Sequence, residues 1–192
     1  MMTVQEEYIK KGRAYKIMLL FAMGSMVMIF AGLTSAYVVS KSRPDWLTDF
    51  QLPLAFLLST IVIVLSSLTF YKAKKSVKDG SNKAGMTYLG LTALMGIAFV
   101  VLQFIGFGQV VDNGYFFTGS ESTVTTSFLY VIVIVHVVHL IGGMISLLYV
   151  IYNHSKQKYN ASQYIGIELS EWFWHFLGIL WIYLFLFFTF YK

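Results

Sequence analysis

Cysteine is absent from this 192-residue chain. That excludes a disulfide framework, a thiolate metal site, an iron–sulfur cluster and a catalytic thiol. Charge is scarce as well. Asp, Glu, Lys and Arg make up 12% of the residues, where a soluble domain that must hydrate its whole surface carries roughly a quarter. What fills the space is apolar: 57% of the residues are hydrophobic and 18% aromatic. Such a composition leaves too little polar surface for water and points to lipid as the main solvent. The formal net charge of +5 would suit nucleic acid. The basic residues, however, lie in short blocks between long apolar runs, which is how the flanks of membrane spans read.

A helix rising 1.5 Å per residue needs about twenty apolar residues to cross a hydrocarbon slab about 30 Å thick. Five runs meet that length: 17–39, 52–71, 86–111, 126–152 and 168–191. They predict an all-α fold, a polytopic bundle of five transmembrane helices forming one membrane domain over 1–192. No internal repeat, low-complexity tract or long linker divides it. No cleaved signal peptide is evident, and the first run is too long for a signal's apolar core, so it reads as a spanning anchor. Gly24, Gly32, Gly90, Gly96, Gly106, Gly142, Gly143 and Gly178 lie within the runs, where small residues let helices approach closely.

Lys and Arg orient the bundle. Lys10, Lys11, Arg13 and Lys16 precede the first run. Lys72, Lys74, Lys75, Lys78 and Lys83 occupy the second connection, and Lys156 and Lys158 the fourth. The opposite side holds only Lys41, Arg43 and Lys192, which makes eleven against three. The basic side faces the cytoplasm, giving a cytoplasmic N-terminus and an external C-terminus. Lys72, Lys74, Lys75, Lys78 and Lys83 are also candidate contacts for anionic lipid, although topology alone accounts for them equally well.

Ionisable residues inside spans are costly and are functional suspects by default. His136 and His139 share one face of the fourth run, three residues apart. Glu168, Glu171 and His175 fall at i, i+3 and i+7 on one face of the fifth, and Gly178 continues that stripe. With this orientation His139 sits near the midplane and His175 about 10 Å below the cytoplasmic surface, close enough for them to meet. Three chemistries remain open. One is axial haem ligation by imidazoles from two helices. A second is a metal site on His136 and His139, with His175 or a glutamate completing it. The third is a hydrogen-bonded network of His136, His139, Glu168, Glu171 and His175 that joins helices and carries no cofactor. For Glu171, a place in the first turn of a helix, where carboxylates complement the dipole, is an equally good structural reason.

Glu168 followed by Trp172-Phe173-Trp174-His175-Phe176-Leu177-Gly178-Ile179-Leu180-Trp181-Ile182 resembles the last helix of cytochrome c oxidase subunit III. His136-x-x-His139-x-x-Gly142-Gly143 resembles the helix before it. Weaker echoes are Phe30-Ala31-Gly32-Leu33 with Ser35-Ala36-Tyr37, and Ser66-Ser67-Leu68-Thr69. Five spans match the shorter form of that family, which lacks the first two of seven helices. There are departures. Met26 stands where the family usually has a glutamate, Gly178 follows the Trp-His-Phe triplet in place of a carboxylate, Val133-Ile134 replaces Thr-Gly, and Gly106 replaces another glutamate.

The resemblance implies a non-redox accessory subunit of a haem–copper terminal oxidase, with no catalytic residue and no metal of its own. It packs beside catalytic subunit I and subunit II, and in some complexes beside further respiratory subunits. It binds phospholipid, supports proton uptake and active-site stability in a proton-pumping oxidase, and leaves the haems and copper to its partners. Gly142, Gly143, Trp174, Gly178 and Trp181 are its expected packing residues. The expected location is a bacterial inner (plasma) membrane, with no nucleic-acid partner. The chain's four histidines, His136, His139, His154 and His175, are too few for a catalytic oxidase subunit. Two other readings stay open: a subunit III-like protein of a quinol oxidase or nitric oxide reductase, and a small haem b quinol-linked electron carrier. Reporters fused after Lys78 and after Lys192 are expected to report opposite sides of the membrane, and matching signals would overturn the five-span count.

Overall fold

The computed structural model describes residues 4–47, 52–119, 122–160 and 163–191, with side chains from Glu6 onward. Lys192, which entered the charge comparison, lies outside the described residues. The described chain forms five long helices: α1 (Val4–Val39), α2 (Leu54–Lys78), α3 (Asn82–Asp112), α4 (Val124–Ser155) and α5 (Ile165–Phe190). Each is long and apolar enough to cross a membrane. The protein is an integral membrane helix bundle.

The helices outrun the apolar runs, chiefly at the cytoplasmic end. α1 begins thirteen residues before its run, at Val4, and α2 continues seven residues past Tyr71 to Lys78. Hydropathy marks only the part in hydrocarbon, whereas backbone hydrogen bonding carries the helix on through lysine-rich sequence. α1, at 36 residues, is about 54 Å long and reaches well beyond the hydrocarbon. Turns between helices are tight where the sequence allows. Asp79–Ser81 alone join α2 to α3, with Gly80 in the left-handed region at φ +80°. α4 starts at a capping box: Thr126 N–H donates to Thr123 Oγ1 at 3.3 Å and the Thr123 N–H to Thr126 Oγ1 at 3.2 Å.

α2 and α3 pack along most of their length. α3 packs on α4, α4 on α5, and α5 closes the ring on α2, while α1 lies against α4 and α5. Trp174 stands at the centre of the ring, fully buried, and its indole N–H donates to Ser66 Oγ on α2 at 2.9 Å. Phe70 packs against it, and Phe56 and Phe99 pack against Trp181 two turns further along; all three phenylalanines are fully buried. Outward, α1 shows Phe21 and Met28, α3 Phe104, and α5 Ile179 to the surroundings. Such a surface suits acyl chains and not water.

Close approach falls on some of the glycines and not others. A Cβ at Gly96 would stand 2.8 Å from the Trp174 ring and 2.7 Å from Met144 Sδ, and one at Gly143 would stand 2.7 Å from Leu177. Gly24, Gly32, Gly90 and Gly142 have open space there, so the expectation that Gly142 packs against another helix of this chain is corrected. In His136-x-x-His139-x-x-Gly142-Gly143 only the second glycine lies on the α5 side. Gly178 meets Ser67 and Ile63 only at ordinary contact distance, 3.4 and 3.6 Å. Gly96→Ala is expected to lower stability by about 1–3 kcal/mol through overpacking against Trp174. Gly90→Ala, on the same helix, is expected to lower nothing. Thermal denaturation of the two variants in detergent checks this, and equal behaviour would refute it.

Candidate functional site

α5 carries the ionisable stripe, and two other helices answer it with lysines. Glu168 Oε2 lies 2.9 Å from Lys16 Nζ of α1, a partly exposed pair near the cytoplasmic end. One turn deeper, Glu171 is only 1% exposed and pairs through Oε2 with Lys74 of α2. Its other oxygen lies 3.6 Å from His175 Nε2, beyond hydrogen-bonding distance. A carboxylate this deep is tolerable only because a cation is brought to it. Lys16 and Lys74 had been read from sequence as topological charges, and their role as partners was missed.

His136 and His139 do not join this group. His139 Nδ1–H donates to the Val135 carbonyl of its own helix at 2.7 Å, with the Phe30 ring of α1 5.7 Å away. His136 is buried between Phe30, Phe99 and Trp181, at centroid distances of 6.2, 6.3 and 5.3 Å. Neither of its nitrogens has a hydrogen-bonding partner. The single network of His136, His139, Glu168, Glu171 and His175 is therefore divided, and both depth and direction explain why. Gly143 lies against Trp174 and Leu177, and Ser146 Oγ donates to Ser170 Oγ at 2.9 Å. His136 meets Trp181 instead, six residues and about 9 Å along α5 from His175. His175 also faces away, into a groove of about 370 Å³ between α2 and α5 lined by Ile63, Ser67 and Tyr71. This placement does not oppose His175 to the pair as two axial haem ligands require. Among the described residues no three His, Cys, Asp or Glu side chains gather as metal ligands.

The remaining polar contacts join helices. Trp181 Nε1–H donates to Thr60 Oγ1 at 2.9 Å, and Gln103 Nε2–H to Ser59 Oγ at 2.8 Å. The Thr69 and Thr92 hydroxyls are 2.8 Å apart, and those of Thr34 and Tyr183 3.1 Å. At the cytoplasmic end His154 bonds through Nε2 to the Asn82 carbonyl at 3.0 Å and stacks on Tyr159, whose phenol burial pushes above its usual pKa. Of the candidate lipid contacts, Lys74 is taken by Glu171, and Lys78 lies over the Tyr164 ring at 5.7 Å. Lys72, Lys75 and Lys83 sit beyond these interior contacts, on the second connection and its flanks.

A bundle of five apolar helices in which the two carboxylates of α5 are paired with lysines of α1 and α2 is a membrane-embedded helix-packing domain. The family model of cytochrome c oxidase subunit III matches residues 3–192. A protein of Synechocystis sp. named cytochrome c oxidase subunit 3 is 29% identical over 164 residues, covering 82% of this chain and 67% of the relative. One of the same name from Bacillus sp. strain PS3 is 27% identical over 167 residues, covering 85% and 79%. One from Cyprinus carpio is 27% identical over 194 residues, covering 92% and 69%. The chain belongs to the cytochrome c oxidase subunit III family, the subunits III of an oxidoreductase complex.

The two lysine–carboxylate pairs differ in burial, so their loss should differ in cost. Lys74→Met strands a buried charge and is expected to cost about 3–5 kcal/mol. Lys16→Met, at a partly exposed pair, is expected to cost at most about 1 kcal/mol. The double variant Lys74→Met/Glu171→Leu should recover most of the first loss. Denaturant unfolding in mixed micelles orders the three, and a double variant no better than the single would refute the assignment.

Proposed function

We propose that this chain is the accessory, non-redox subunit III of a haem–copper terminal oxidase, packing beside catalytic subunit I with subunit II in the same complex. Family membership across nearly the whole chain is the observation that carries this reading. The chemistry of the bundle supports it. Its intramembrane carboxylates are engaged by Lys16 and Lys74, and its histidines lie apart, so the chain's own ionisable groups serve helix joining. On this reading the haems and copper belong to the partners, and the chain itself holds neither haem nor metal ion. The electron-carrier alternative would need two imidazoles facing each other, which the placement of His136, His139 and His175 does not favour.

Lipid is the second part of the proposal. The groove between α2 and α5 is apolar along Ile63, Leu68 and Ile182 and ends at Tyr71 and His175. A second groove of about 270 Å³, between α1 and α5, is bounded by Val27, Phe30 and Tyr183. Both have the form an acyl chain fills, and Lys72, Lys75 and Lys83 add cationic charge at the same end of the bundle. Support of proton uptake is the third part. Buried Glu171, with partly exposed Lys74 and His175 beside it, forms an ionisable cluster that borders the α2–α5 groove through His175 and lies toward the cytoplasmic face. The bacterial inner (plasma) membrane is the proposed location.

Gentle purification of the tagged chain from its native membrane is expected to bring down a haem-containing complex with a Soret band. The chain stripped from that complex is expected to show no Soret band and no stoichiometric iron, copper or zinc. Haem or metal retained by the isolated chain would overturn the non-redox reading. Failure of any haem protein to co-purify would overturn the oxidase reading.

A further inference from the structure

The groove between α2 and α5, about 370 Å³ in volume, falls within the roughly 300–1,000 Å³ of small-molecule sites. Its walls are apolar, but three hydrogen-bonding side chains stand along it: Ser67 and Tyr71 from α2 and His175 from α5. Among the described residues none of the three makes a hydrogen bond. The other hydroxyls in this part of α2, those of Ser59, Thr60, Ser66 and Thr69, are all engaged. Among the described residues the lining holds no lysine or arginine. Lys74, 5.8 Å from the Tyr71 ring, is taken by Glu171. A phosphate headgroup therefore finds no lysine or arginine to meet it in the groove. A neutral head with carbonyl or hydroxyl oxygens finds three partners.

We propose that this groove binds a lipid-soluble quinone, its ring against His175, Tyr71 and Ser67 and its prenyl tail along Leu68, Ile63 and Ile182. Glu171 Oε1 has no hydrogen-bonding partner and lies 3.6 Å from His175 Nε2, just beyond bonding range. A small rotation of the imidazole turns Nε2–H onto that oxygen and leaves Nδ1 as an acceptor. The site then offers an acceptor on α5 and two hydroxyl donors on α2, which suits both the carbonyl of a quinone and the hydroxyl of a quinol. These partners stand on opposite walls, matching a ring whose two oxygens lie at opposite edges. Gly178 leaves the floor between them low, since a Cβ there would stand 3.4 Å from Ser67 Oγ. His175 and Ile182 lie seven residues apart on α5, so the groove is about 10 Å long, enough for one ring and the start of one chain. The proposal concerns binding alone. It rests on the lipid part of the proposed function and names the occupant of one groove.

The test photolabels the detergent-solubilised full chain, in whatever complex it purifies with, using an azido-benzoquinone that carries a decyl tail. Mass spectrometry of this chain's own peptides locates the label, so a quinone site on a partner subunit does not count. Saturable labelling around Ser67 and His175 is expected, displaced by decylubiquinone and not by dihexanoyl-phosphatidylglycerol. In His175→Phe the apparent dissociation constant is expected to weaken about tenfold, close to the contribution of one hydrogen bond, and in Ser67→Ala by less. Phe104→Leu, on the outward face of α3, should change nothing. Thermal midpoints are read on every variant, and Ser67→Ala, which deletes only a hydroxyl, carries the test where His175→Phe fails to assemble. Unsaturable labelling spread over the lipid-facing surface would overturn the proposal, and so would labelling unchanged in the folded variants. Equal displacement by the phospholipid would overturn it while leaving the lipid reading of the groove intact. A groove that neither probe enters would overturn both. Co-purification of a haem protein is read separately, so the oxidase reading stands or falls on its own.

Discussion

A carboxyl group at the 1% exposure of Glu171 is costly to bury without a partner, and Lys74 of α2 supplies one. The requirement ties α5 to α2 at one depth. Two indole bonds repeat the tie further along: Trp174 to Ser66, then Trp181 to Thr60. Lys74, Ser66 and Thr60 follow one another along α2 in the same order as their partners Glu171, Trp174 and Trp181 along antiparallel α5, so a slip of one turn between the helices would break all three. In lipid, apolar burial drives helix association weakly, and each interhelical hydrogen bond contributes only about 0.6–2 kcal/mol. A row of three polar ties in one register does what a greasy seam does in water.

The register of α5 then settles the rest. With Trp174 fixed at the centre, α3 can approach only where it has no side chain, at Gly96, and α4 only at Gly143. Trp181 closes over His136 from one side while Phe99 and Phe30 close it from two others. The histidine is left in an aromatic box with both nitrogens unpaired. An imidazole without partners is a cost, and the same packing that leaves it unpaired holds its ring in place. His175, on the opposite flank of α5, keeps access to the α2–α5 groove.

Much of this was legible in the chain itself. Apolar run length gave the five helices, whereas the stripe of Glu168, Glu171 and His175 is shared between two neighbours, Glu168 meeting α1 and Glu171 and His175 lying toward α2. The division of the polar residues was not legible, because sequence spacing orders groups within a helix and says little about the depth at which two helices meet. The lysine partners were hidden for a different reason. Lys16 and Lys74 belong to the basic blocks that set topology, and nothing in composition separates a paired lysine from a solvated one. A positional signal did exist: Lys74 follows Ser67 by seven residues and Tyr71 by three, on the stripe of α2 that lines the α5 groove. Gly142 and Gly143 are adjacent, so at most one could lie at a given helix contact, and that much could have been read from a helical wheel.

The two ends of the bundle are held by different physics. Toward the cytoplasm the contacts are ionic and hydrogen-bonded: Lys16 with Glu168, Lys74 with Glu171, Tyr8 with the start of α5, and His154 with Asn82. At the external end aromatic contacts join the hydrogen bonds, among them the Val124 N–H to Asp45 Oδ2 at 3.2 Å and the Leu47 N–H to Thr125 Oγ1 at 3.0 Å. Tyr37 packs edge-on against Trp46, Phe128, Phe187 and Phe188, at centroid distances of 4.7 to 6.1 Å. Edge-to-face pairs stabilise without any charge to desolvate. α1 depends on both kinds of contact, because between its ends it is mostly exposed and Thr34 with Tyr183 is its main polar tie. Met26, standing where the family usually has a glutamate, is consistent with that division. With no carboxylate in the middle of α1, no cation is needed there, and the middle of the helix can present an apolar face outward while its two ends hold it to the bundle.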